Sequence, residues 1–130
     1  MWISLLAIGL LALLGVAAIV RPDAQGRGTH QQFGLPPCTF RVVFGLPCPT
    51  CGMTTAWAYL VRGELGSAFA ANVGGALTGM LAVALVPWLL CSAAWGRWLG
   101  RALNSKVVGW MAVGITLVTL IDWSLRLLAR

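Results

Sequence analysis

Acidic side chains are nearly missing from this sequence. Asp23, Glu64 and Asp122 are the whole set, and His30 is the single histidine. That scarcity removes paired carboxylates and the Ser–His–Asp relay, because neither can be assembled without its proton carriers. A phosphate-cradling glycine loop is missing as well. Charge of either sign is scarce, at 9% of residues against 59% hydrophobic, and mean hydropathy is +0.87. Soluble globules carry about 25% charged residues, so this is the composition of a membrane protein. A nucleic-acid role needs a basic, aromatic-interleaved face on a soluble module, and none is visible, so no nucleic-acid partner is expected.

The missing charge is concentrated in three runs. Residues 2–20 carry no ionisable group, and 66–96 are likewise uncharged. Residues 107–125 are interrupted only by Asp122. At about 1.5 Å per helical residue each run can cross a hydrocarbon core about 30 Å thick. The chain is therefore expected to be a single all-α membrane domain, 1–130, with transmembrane spans near 2–20, 67–95 and 107–125. Small residues at Val16-Ala17-Ala18 would suit a signal cleavage site. The first run has no basic lead-in and is longer than a signal core, so it is read as a retained anchor. The lipid bilayer is the expected surrounding, with the basic residues that give the net charge of +6 flanking the runs.

Between the first two spans lies a stretch rich in glycine and proline, 21–50. It also holds Phe33, Leu35, Phe40, Val42, Val43 and Phe44, apolar residues that argue for a folded cap on the membrane surface over a disordered loop. From Cys51, apolar residues recur at three and four positions (Met53, Ala56, Trp57, Leu60), as in a short interfacial helix over 51–62 that Gly63 and Glu64 end. Gly75 and Gly79 make a small-residue face for close helix approach. Internal packing is the favoured use, and a homo-oligomer or a membrane-protein partner the other. Trp88, Trp95, Trp98, Trp110 and Trp123 fall mostly near span ends, as an aromatic belt does.

Chemistry concentrates at Cys48-Pro49-Thr50-Cys51-Gly52. Two thiols three positions apart can share a metal or form a redox couple, and a helix start just beyond them favours the thiolate. Cys38 lies in the same cap and His30 eight residues before it, so Cys38, Cys48, Cys51 and His30 complete a tetrahedral donor set suited to zinc. The alternative is an enzyme, a membrane thiol-disulfide oxidoreductase using Cys48 and Cys51 as its dithiol with Cys38 as a resolving thiol. Cys91 is read as a small buried hydrophobe. Asp122, four residues before Arg126, is read as an i,i+4 ion pair at the interface. Asn72 is read as a polar contact between helices.

The run Cys48-Pro49-Thr50-Cys51-Gly52-Met53-Thr54-Thr55-Ala56 resembles the Cys-Pro-x-Cys-Gly-x-Thr signature of bacterial domain-of-unknown-function family 2752. Downstream, Arg62-Gly63-Glu64-Leu65, Ala68-Phe69 and Asn72 are similar to that family's glycine-acidic turn and alanine-rich span. The resemblance covers roughly 38–88. It implies a small multi-span protein of a bacterial inner membrane and carries no activity with it. Thr55 stands where many members have arginine, and Val73 where the usual residue after Asn72 is proline.

Three readings follow: a metal-binding or structural cap, a dithiol oxidoreductase, or an accessory subunit of a larger membrane complex. With three spans the cap and the carboxyl tail share one side. More basic residues fall there (Arg21, Arg27, Arg41, Arg62, Arg126, Arg130) than in the other loop (Arg97, Arg101, Lys106), which favours a cytoplasmic cap.

Overall fold

A computed structural model describes residues 2–26, 28–96 and 104–129. These residues form helices and connecting turns: α1 (Trp2–Ile19), a 3-10 turn (Thr29–Phe33), α2 (Thr39–Phe44), α3 (Met53–Leu60), α4 (Leu65–Ala71), α5 (Val73–Ala94) and α6 (Ser105–Leu128). Arg27, Arg97, Trp98, Arg101 and Arg130 lie outside the described residues.

Helices α1, α5 and α6 are long and apolar enough to cross a membrane. Their large side chains point outward: Leu5, Leu6, Ile8, Leu117, Ile121 and Leu125 are exposed. What is buried is small, chiefly Ala7, Ala17, Ala56, Ala58, Ala68, Ala71, Ala76 and Ala82. This inversion is expected of helices solvated by lipid, whose association comes from close backbone approach and polar contacts.

Helix α5 is the hub and packs against α1, α3, α4 and α6. Its glycines form the seats. A Cβ on Gly75 would lie 2.9 Å from Met53 Cα, one on Gly79 would lie 2.8 Å from Leu60 Cδ2, and one on Gly74 would overlap the Thr119 side chain of α6. The small-residue face of Gly75 and Gly79 is thus filled from within the chain, by α3.

Two elements differ from the sequence reading. The second apolar run is not one helix from residue 67: α4 ends at Ala71, Asn72 is extended (φ −165°, ψ 118°), and α5 begins at Val73. A neutral asparagine leaves hydropathy unbroken but interrupts the backbone by capping the next helix. The helix expected over 51–62 is shorter, Met53–Leu60, and packs inward against α1, α4 and α5, burying Thr55, Ala56, Ala58 and Leu60.

All three long helices meet the cap at one end. Arg62 reaches carbonyls in the last turn of α1 and just past its end. Trp123 Nε1, near the end of α6, donates to Pro47 O at 2.6 Å. Asn72, at the start of α5, donates to Pro49 O at 3.0 Å. Cap and carboxyl tail therefore share an end of the bundle.

Candidate metal centre

Cys38 immediately precedes α2, and its carbonyl accepts the backbone N–H groups of Arg41 (3.0 Å) and Val42 (3.1 Å). Cys48 and Cys51 sit on a tight turn leading into α3, closed by Cys51 N–H to Cys48 O (3.0 Å) and Met53 N–H to Thr50 O (3.1 Å). Gly52 makes this turn possible. Its φ is +91°, and a Cβ there would lie 2.6 Å from Ala71 O and 2.8 Å from Gly26 O, backbone atoms that cannot swing aside.

The result is a cluster. The sulfurs of Cys38, Cys48 and Cys51 all lie within 4.8 Å of one another, each partly exposed. Cys48 Sγ is 3.1 Å from Cys51 Sγ and 3.2 Å from Thr50 Oγ1. Zinc–sulfur bonds of about 2.3 Å in a tetrahedron put ligand sulfurs about 3.8 Å apart, so adjustments of well under an ångström per sulfur would suit the ion.

The thiols are electrostatically unequal. Burial opposes ionisation of Cys48, yet hydrogen bonds from the Thr50 hydroxyl and the Cys51 and Cys38 thiols outweigh it and lower its pKa to about 7. Burial, followed by the neighbouring Cys48, pushes Cys51 up to about 12. Of the pair, Cys48 therefore ionises before Cys51.

His30 is not part of the sulfur cluster. It lies on the 3-10 turn, half-buried, and lines the same recess of about 400 Å³ as Cys38, Cys48 and Cys51. The turn is fixed by Thr29, whose hydroxyl lies 2.7 Å from that of the buried Thr55 and accepts from Asp23 N–H at 3.1 Å. Cys91 stands apart from the cluster and is exposed, not buried as its size had implied: α5 turns its glycine and alanine stripe inward and leaves Cys91 on the outer face.

Three further residues build the site. Asn72, only 3% exposed, accepts Gly75 N–H through Oδ1 (2.7 Å) and donates through Nδ2 to Pro49 O (3.0 Å) and Cys51 O (3.1 Å). It caps α5 and holds the thiol turn with one side chain. Trp123 holds the same loop at Pro47, and Arg126, ion-paired to Asp122 at 2.9 Å, donates to Ala71 O at 2.9 Å. The i,i+4 pairing of Asp122 follows from spacing. Its location does not, for Asp122 lines a small crevice shared with Cys48, Cys51 and Asn72. Of the three, Asn72 has a sequence cue only as a polar contact between helices, and its hold on the thiol turn has none. The carbonyl contacts of Trp123 and Arg126 have none, because a carbonyl acceptor leaves no mark in the identity of its residue.

No curated protein and no solved structure matches the chain. Residues 38–89, the segment that carries all three clustered thiols and Asn72, match the family described as "Protein of unknown function (DUF2752)".

Proposed function

We propose that this is an integral membrane protein whose cap binds a thiophilic metal ion, zinc foremost, through Cys38, Cys48 and Cys51. The observation that carries the reading is the third thiol. A redox couple needs two sulfurs, whereas here a cysteine ten positions from the nearer member of the pair is brought within 4.8 Å of both. Thiolate donors select soft or borderline ions such as zinc over magnesium or calcium. The bound ion would tie the start of α2 to the start of α3 and so hold a cap with little regular structure onto the helices. The excess of arginine at the cap end supports a cytoplasmic cap, where thiols stay reduced and available to metal.

The test is metal analysis of detergent-purified protein with a parallel count of free thiols. Near-stoichiometric zinc is expected, lost in Cys38→Ser, Cys48→Ser and Cys51→Ser and kept in Cys91→Ala. A folded, metal-free protein whose thiol variants are equally stable would overturn it.

A second reading, thiol–disulfide exchange, is favoured by the 3.1 Å approach of Cys48 to Cys51 and the lowered pKa of Cys48. In that case both thiols give up a proton and an electron, the electrons passing to a disulfide substrate that is reduced to its dithiol as the Cys48–Cys51 bond forms. A reversible Cys48–Cys51 disulfide in metal-free protein would select it.

A further inference from the structure

We infer that the metal centre keeps one coordination position open to the recess, and that this position takes a small thiol carrying a carboxylate. The inference rests on the metal reading. Among the described residues the cluster offers three ligand atoms and no fourth. A tetrahedral ion held by three protein ligands presents its remaining position to an exchangeable ligand. The three thiols are only partly buried, and they open onto a recess of about 400 Å³ that falls within the range of small-molecule sites.

The recess wall sets the class of ligand. Beyond the cysteines its wall includes Arg41, His30 and Gln31 with Thr50, Thr54 and Thr55, and no acidic side chain among the described residues. The Arg41 guanidinium has no hydrogen-bond or ion-pair partner among the described residues, unlike those of Arg62 and Arg126, which are occupied by carbonyls. A planar guanidinium is matched to a carboxylate by two parallel N–H···O contacts. A thiophilic ion among thiolates accepts a further sulfur. A short ligand that carries both a thiol and a carboxylate satisfies the ion and Arg41 together.

The experiment uses full-length protein in detergent, loaded with cobalt(II) in place of zinc, and follows the visible absorption of the metal. Addition of 3-mercaptopropionate should change the band shape and intensity with saturation, at about tenfold lower concentration than the uncharged 2-mercaptoethanol. Arg41→Gln, a substitution on an exposed side chain, should erase that tenfold preference while leaving the mercaptoethanol response intact. Spectra indifferent to both thiols until the metal is stripped would overturn the inference and leave the metal reading standing. So would a spectrum that becomes thiol-sensitive only in His30→Ala, which would put the imidazole in the fourth position. An equal response to both thiols would overturn the assignment of a carboxylate-bearing ligand. Protein that takes up neither cobalt nor zinc would overturn the metal reading and this inference with it.

Discussion

Replacing Asn72 by aspartate separates two jobs that one side chain performs. The carboxylate still accepts the Gly75 N–H, now 2.7 Å from Oδ1, and aspartate is as good a helix cap as asparagine. It cannot donate to Pro49 O and Cys51 O, bonds of 3.0 and 3.1 Å on the turn between the two thiols. Two neutral hydrogen bonds contribute about 1 kcal/mol each, so the thiol turn should lose about 2 kcal/mol of ordering, roughly a thirtyfold change in equilibrium. The start of α5 should stay intact. In Asn72→Asp, zinc affinity measured by competition with a chromophoric chelator should fall about ten- to thirtyfold, and hydrogen exchange at the Cys51 amide should quicken even without metal. Asn72→Ala should show the same loss and, in addition, lower the unfolding midpoint through the missing cap, a further cost of about 1 kcal/mol. Wild-type affinity and wild-type exchange in Asn72→Asp would refute the assignment of Asn72 as the clamp of the thiol turn.

Gly52→Ala should cost at least about 2 kcal/mol, because a left-handed backbone is unfavourable for alanine and the Cβ would meet two carbonyl oxygens; an unchanged unfolding midpoint would contradict this. Arg62→Gln should loosen α1 from the remaining helices by about 1–2 kcal/mol, read as faster proteolysis between α1 and the 3-10 turn, since its guanidinium bonds to the carbonyls of Ala17, Ala18 and Val20 would be lost. In metal-free protein, alkylation of Cys48 should rise with pH through about 7 while Cys51 stays slow until pH approaches about 12, as mass spectrometry of the modified peptides would report. The depressed Cys48 pKa favours the folded form above the ordinary thiol value of 9.0, a contribution lost as pH falls toward 7; the raised Cys51 pKa acts oppositely, its contribution being lost as pH rises from 9.0 toward 12.

The spans were legible because lipid enforces a simple rule: about twenty residues without charge can cross, and few other segments can. The thiol site was legible because proline and glycine around Cys48 and Cys51 mark a turn whatever the rest of the chain does. Asn72 shows where that reasoning stops. It is neutral, so hydropathy runs through it, and its function depends on carbonyls at positions 49 and 51 that any residue would supply. Trp123 is alike: it was read as part of an aromatic belt, yet its indole N–H is bound to Pro47, 76 residues away in sequence. His30 shows a different limit. Its side chain has the right chemistry for zinc, but the pairing of Thr29 with Thr55 fixes its turn on the recess wall beside the sulfurs and not among them.

Arginine near the ends of apolar runs reads as charge that meets lipid headgroups, and counting it gives an orientation. Arg62 and Arg126 do something more specific. Arg62 bonds the closing carbonyls of α1, and Arg126 bonds Phe69 and Ala71 at the end of α4. The last carbonyls of a helix have no partner within it and carry the negative end of its dipole. Where water is scarce, leaving them unmet is costly, and a guanidinium with five fixed donors meets several at once. One end of this small bundle gathers the ends of α1, α4 and α6 with the starts of α3 and α5, so it needs such groups more than the opposite end does. Part of the arginine excess at the cap is therefore a packing requirement of the fold, and of the described arginines at that end, Arg21 and Arg41 are the ones left to meet a headgroup or a ligand.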